Sequence, residues 1–349
     1  MLFFMGTKIT DLLESKELSI DDLKDKIVVV DAFNQLYMFL SSIRQPDGSL
    51  LKDSNNNVTS HLNGLFYRFT KLMQHGIRFI FVFDGKPPEL KLAERKRRSE
   101  LKASAELKYE KAKDEENIDD MKKYAARTSK LTKEMIDDAK ELMSALGCPI
   151  IQAPSEGEAQ AAYIVKNKDA YASLSQDADS LIFGCPLVVK NLTLSGRKKL
   201  PNKLSYDAIS PELISLNDTL NNLAIDLDQL IVVAMLTGTD YNIGGIKGIG
   251  PKTALKLVKE HGTGSDNFDR LFSEAKWDDF FDYDWKEVFD VIKHTEITKD
   301  YDIKFKDADD EKVVDVLCKK HDFSEERIRK VLETLHKKPR TQKGLGEFF

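Results

Sequence analysis

Short apolar runs rich in β-branched and aromatic residues alternate with helically spaced stretches through much of the chain. Lys26 to Asp31 and Arg78 to Asp84 each read as a buried strand with an Asp at its end. Between them, apolar positions from His61 to Met73 recur at helical spacing, which predicts a βαβ crossover. Cys148 to Pro154 and Ala170 to Leu174 predict a third and a fourth strand, joined by a helix over Glu158 to Lys166. The alternation predicts an α/β fold, a mostly parallel central sheet with helices on both faces.

Two stretches break this rhythm. Lys91 to Thr132 is charged, nearly free of Gly and Pro, and rich in Lys, Glu and Ala. It is therefore helical but poor in core residues, and it projects from the body or covers something. Asp228 to Thr237 is an apolar helix followed by the Gly-rich stretch Gly244 to Gly250. Pro251 then opens a helix over Lys252 to His261, at the first-turn position that tolerates Pro. Gly264 to Glu311 is acidic and aromatic and yields no function, and no internal repeat stands out.

Composition narrows the class. With 349 residues, 41% hydrophobic and 32% charged, the chain fits a soluble globular protein of two domains or one large α/β domain with appendages. No apolar run approaches the roughly 20 residues of a membrane span, and Met1 to Phe4 lacks the basic flank of a signal peptide. Cys148, Cys185 and Cys318 are odd in number and far apart, which argues against a disulfide framework or a zinc cluster and for a reducing, intracellular setting. The net charge of −5 is unsuited to a nucleic acid, but its distribution is not. Lys86 to Lys113 carries ten Lys or Arg against five Glu, and Lys337 to Lys343 is basic without an acid.

Asp31, Asp84, Glu156, Glu158, Asp177 and Asp179 follow the predicted strands, and Asp240 follows the apolar helix. Open parallel sheets gather ligands beyond their C-terminal edge, so these acids are expected to converge. Converging carboxylates repel unless cations neutralise them. Hard oxygen ligands select Mg²⁺ or Mn²⁺ over zinc, and two such ions about 4 Å apart activate water for phosphodiester cleavage. Each acid also has a plain structural reading. Ser155 to Glu158 fits a capping box, Asp84-Gly85 a turn, and Asp177 to Asp179 a helix cap.

Gly245 to Thr253 departs from a nucleotide-binding loop, because Pro251 stands where Lys is required and a helix leads in. A helix-hairpin-helix turn fits better, with backbone N–H groups and a helix N-terminus gripping a DNA phosphate. Lys247, Lys252 and Lys256 add charge nearby. Tyr37, about two helical turns beyond Asp31, is equally placed to stack on a base or to fill the core. The terminal Phe348 and Phe349, spaced from Leu345 and Gln342, suit an anchor in a partner's pocket.

Taken together, Val30 to Phe33, Thr59 to Arg68, Val82 to Pro88, Ala153 to Ala159, Leu236 to Tyr241, Gly248 to Lys252 and Phe323 to Arg329 resemble the flap endonucleases of archaea and eukaryotes. The likeness runs from Met5 to Phe349 and implies a PIN-like 5′ nuclease fold working as a single chain. It implies that all seven acids hold two Mg²⁺ ions, with Mn²⁺ able to substitute. Lys91 and Arg98, at the base of a helical arch, would contact the scissile phosphate, and Tyr37 would stack on substrate near the cut. Gly245, Lys247, Gly248, Gly250 and Lys252 match the family's duplex-binding turn, which often carries K⁺. Gln342, Leu345, Phe348 and Phe349 match its sliding-clamp peptide. Family members commonly begin Met-Gly, a pair found here at Met5-Gly6. An ending on the aromatic pair favours an archaeal source.

The resulting expectation is a nuclease domain over 1–335: an N-terminal part at 1–90, an arch at 91–132, a second part at 133–262 with its DNA-binding turn at 241–261, and a C-terminal helical part at 263–335. A clamp-binding tail occupies 336–349. The substrate would be branched DNA with a 5′ flap, in the cytoplasm at the nucleoid of an archaeon or in a eukaryotic nucleus, with no membrane involved. The rival reading is a non-catalytic branch-binding or clamp-adaptor protein with a degenerate metal site.

Overall fold

A computed structural model describes residues 8–115, 117–125, 128–194, 197–199 and 206–337. Met1 to Gly6 and the tail residues Gln342, Leu345, Phe348 and Phe349 lie outside the described residues. The strands are β1 (Lys16–Glu17), β2 (Ile27–Asp31), β3 (Arg78–Phe83), β4 (Ile150–Gln152), β5 (Ala172–Leu174), β6 (Leu187–Lys190), β7 (Arg197–Lys199), β8 (Tyr206–Ala208) and β9 (Glu212–Ser215). Seven of them form one sheet in the order β1-β9-β6-β5-β2-β3-β4, while β7 and β8 pair as a separate ribbon. From β4 through β3, β2 and β5 to β6 every neighbour is parallel. The antiparallel edge is β6 with β9 and β9 with β1.

The predicted strands are β2 to β5, trimmed at their ends. Their alternation explains two cores. Val29, Ile80, Val82 and Val188 face one side, and Val28, Val30, Phe79, Phe81, Phe83 and Val189 the other, as the two-residue period of a strand requires. On the first side pack the helices Gly157–Lys166 and Leu227–Thr237, together with aromatic residues such as Phe272 and Trp285 from the acidic segment. On the second pack Ala32–Ser42, the helical run Ser60–Gln74 with a π turn at its centre, Lys133–Ala145 and Glu325–His336.

The charged stretch after β3 forms the helix Leu92–Asp114 and a shorter helix Ile118–Ala125 packed against it. Of the long helix only Glu94, Ala105 and Ala112 are buried. No single described helix is long and apolar enough to cross a membrane.

Connectivity places the site. From β2 the chain steps outward to β3 and β4, then crosses back to lay β5 on the other side of β2. The C-terminal ends of β2 and β5 are therefore adjacent where the winding direction reverses, the crevice in which open α/β sheets bind ligands.

Candidate functional site

Asp31 ends β2 and Asp84 directly follows β3. Glu156 and Glu158 lie at the start of the helix after β4, and Asp177 and Asp179 in the turn after β5. Several are held by neighbouring hydrogen-bond donors. The Asp31 carboxylate accepts the Asn34 N–H at 3.0 Å, capping the helix Ala32–Ser42. Asp84 Oδ1 accepts the Gly157 N–H at 2.7 Å. That contact replaces the capping box expected at Ser155 to Glu158: the N-cap is Glu156, without a side-chain cap bond. Glu158 instead turns inward and accepts the hydroxyls of Ser175 at 3.0 Å and Ser180 at 3.2 Å. Its role as a cap is excluded, and its place among the acids is left.

Two cations from the start of the long helix reach into the same cluster. Lys91 Nζ lies 2.6 Å from Glu156 and 3.2 Å from Asp240, over the Tyr241 ring. Arg98 Nη2 meets Asp240 at 2.6 Å, while its Nε meets Glu94 at 2.7 Å. The base of the long helix is thereby clasped to acids from two other parts of the chain.

The carboxylates feel one another. Burial, then Asp84, pushes Asp31 up to about 8. Burial, then Glu156, pushes Asp84 up to about 6. Burial, then Asp179, pushes Asp177 up to about 7. Glu158 is driven well above the usual carboxylate range by burial, then by Asp179, Asp31 and Asp177. Burial works to lower Lys91, but Glu156 and Asp240 outweigh it and hold the ammonium well above its ordinary value. Mutual interaction on this scale means that the seven predicted acids form one electrostatic unit. Among the described residues no three of them close on a single point as a formed ligand shell does. The physical reason lies in their partners, since Lys91 and Arg98 draw off Glu156 and Asp240, and backbone N–H groups hold Asp31 and Asp84. An all-oxygen donor set of buried and half-buried, mutually repelling carboxylates fits hard divalent cations.

Beyond Asp240 the chain turns through the Gly-rich hairpin. Gly245 has φ +62, and a Cβ there would stand 2.5 Å from Leu236 O, so glycine is required for the turn to lie against the end of the apolar helix. Gly248, Gly250, Lys247 and Lys252 are exposed. Gly250 is the N-cap of the helix Pro251–His261 and makes no side-chain cap bond, which leaves first-turn N–H groups facing outward. Tyr37 is 39% exposed with Lys102 Nζ 4.7 Å above its ring, so the core alternative fails and its face looks towards the long helix.

Some contributing residues escaped sequence reasoning. Asn34 donates to Asp177 at 3.3 Å and accepts from the Gln176 N–H, tying the ends of β2 and β5 together. Buried Asn242 locks the turn after Asp240 through Thr239 and Met235 O. Glu94 is only 2% exposed. Its sole sequence signal is the placement of Arg97 and Arg98 one helical turn later.

Residues 7–105 match the XPG N-terminal domain and residues 147–240 the XPG I-region. Flap endonuclease 1 of Thermococcus onnurineus is 47% identical over 333 residues, covering 95% of each chain. The solved flap endonuclease-1 from Methanococcus jannaschii aligns with a TM-score of 0.74 at 39% identity, over 96% of this chain and 99% of that one. The catalytic core of Rad2, solved with a DNA substrate, shares the fold with a TM-score of 0.70 at 24% identity, over 95% and 99% of the two chains. With relatives at 47% and 39% identity aligned over 95% and 96% of this chain, the chain belongs to the flap endonuclease family.

Proposed function

We propose that this protein is a structure-specific 5′ flap endonuclease, with accompanying 5′–3′ exonuclease action, that removes 5′ flaps in DNA replication and repair. One observation carries the reading: carboxylates from four strand ends and Asp240 lie within electrostatic reach of one another at the switch point, with Lys91 and Arg98 at the start of the long helix paired to them. Asp31, Asp84, Glu156, Glu158, Asp177, Asp179 and Asp240 would hold two divalent ions, Mg²⁺ or Mn²⁺. Bound there, the ions supply the Lewis acidity that activates water and stabilises a leaving phosphodiester oxygen.

The chain's own residues do the rest. Lys91 and Arg98 exchange their carboxylate partners for the scissile phosphate and stabilise charge developing on it. Tyr37 offers a ring face to a base beside the cut. Lys247, Lys252 and the N–H groups around Gly245, Gly248 and Gly250 hold the duplex by its backbone, a setting that also suits K⁺. Segment 91–132 serves as the arch over the 5′ strand, and 336–349, with Gln342, Leu345, Phe348 and Phe349, as the sliding-clamp peptide. Every proposed DNA contact is to backbone or base face, so sequence preference is low and binding weakens steeply with salt.

Substituting Asp179→Ala tests the reading against the adaptor alternative. A nuclease loses flap cleavage while keeping flap binding. A wild-type protein that binds flaps with no cleavage for the substitution to remove is an adaptor.

A further inference from the structure

Glu94 is the anomaly of the long helix. That helix, Leu92–Asp114, is otherwise nearly all solvent-facing, yet it buries a carboxylate in its first turn. A carboxylate stays ionised on burial only when it is well paired and hydrogen-bonded, and Glu94 has two cationic partners on its own helix. Arg97 approaches with Nε at 2.7 Å and Nη2 at 2.8 Å, one nitrogen to each carboxylate oxygen. Arg98 Nε meets Glu94 Oε1 at 2.7 Å. Arg98 is thus held at both ends, by Glu94 through Nε and by Asp240 through Nη2.

We infer that Glu94 is a positioning residue for phosphodiester cleavage, acting through Arg98. This rests on the nuclease reading above. Arginine has long, freely rotating methylenes, and its guanidinium is useful only if aimed before the phosphate arrives. When Asp240 and Arg98 part on substrate binding, Glu94 keeps the Nε edge pinned. The terminal nitrogens, already directed at the acid cluster, then face the incoming phosphate. The arrangement also explains why one carboxylate stands among cations meant for an anion. It takes Nε edges and leaves the base of the arch net positive, with Lys91, Arg97 and Arg98 against Glu94.

The test is a cycle of Glu94→Ala, Glu94→Gln, Arg98→Ala and the Glu94→Ala/Arg98→Ala double variant. Single-turnover cleavage of a flap is measured alongside flap binding. The expected result is a fall in cleavage rate of about 10- to 100-fold for Glu94→Ala, a smaller fall for Glu94→Gln, which keeps one acceptor oxygen, and little change in binding. The double variant should be no slower than Arg98→Ala, because Glu94 works only through that guanidinium. Equal losses from Glu94→Ala with and without Arg98 would overturn the inference, as would unchanged rates for both Glu94 variants. Should Glu94→Ala unfold, Glu94→Gln against Glu94→Gln/Arg98→Ala gives the same comparison. A wild-type protein that cuts no flap refutes the nuclease reading instead, so the two failures are distinct.

Discussion

Replacing Asp177 with Asn should stabilise the protein in EDTA while abolishing its cleavage. Asp177 is half-buried beside Asp179, and its pKa stands at about 7 against an ordinary 3.8. Once ionised, such a group costs the fold about 4 kcal/mol. Asn removes the charge and keeps an acceptor oxygen for Asn34, whose contact at 3.3 Å contributes about 1 kcal/mol at most. The net expectation is a gain of about 2–3 kcal/mol at about pH 8.

The sign follows from the direction of the shifts. Asp31, Asp84 and Asp177 are raised to about 8, 6 and 7, so the folded protein holds protons that the unfolded chain has lost. Stability from these groups is present at about pH 4 and is lost as pH rises towards about 8. Urea unfolding in EDTA should therefore separate Asp177→Asn from wild type at about pH 8 and bring them together at about pH 4. Excess Mg²⁺ should raise the wild-type midpoint more than the variant's. An advantage that persists undiminished at low pH, or a variant less stable at high pH, would refute the electrostatic account of the cluster.

Further substitutions probe the other parts of the site. Lys91→Ala leaves Glu156 and Asp240 short of a cation and should lower stability in EDTA by about 3 kcal/mol. It should also slow flap cleavage about 100-fold or more, read by denaturant melts and single-turnover rates. Lys247→Ala and Lys252→Ala should each weaken duplex binding and reduce the slope of log affinity against log salt by about one, without changing the cut position. Removing 338–349 should leave unstimulated cleavage intact and abolish stimulation by a sliding clamp, as measured by steady-state cleavage with and without clamp.

What the sequence made legible was what depends on local pattern. The runs at Lys26, Arg78 and Ala170 are strands because several consecutive apolar residues are buried on both faces, the run at Cys148 forms the sheet's edge with Gln152 exposed, and the acids at their ends lie along one side because parallel strands share one C-terminal edge. The strands β1, β6 and β9 were not foreseen. They are two to four residues long and become strands only by pairing within the sheet, β6 between β5 and β9 and β1 beyond β9. Glu158 looked like a cap partner of Ser155, but the Asp84 carboxylate, brought from a distant strand, takes the Gly157 N–H and frees Glu158 for the cluster. Tyr37 was ambiguous because helical spacing says which residues share a face and not what covers it. Glu94 was invisible for the opposite reason, since an acid among arginines on a charged helix reads as solvated, and only the fold reveals that it is buried.

The central claim is metal-dependent cleavage at the base of a 5′ flap. Its most direct test is to incubate the protein with an end-labelled double-flap DNA, in Mg²⁺ and in EDTA, and to map the products. The account predicts a cut at the junction of flap and duplex in Mg²⁺, with a 5′-phosphate and a 3′-hydroxyl, and none in EDTA. Flap binding without cleavage in either Mg²⁺ or Mn²⁺ would contradict it.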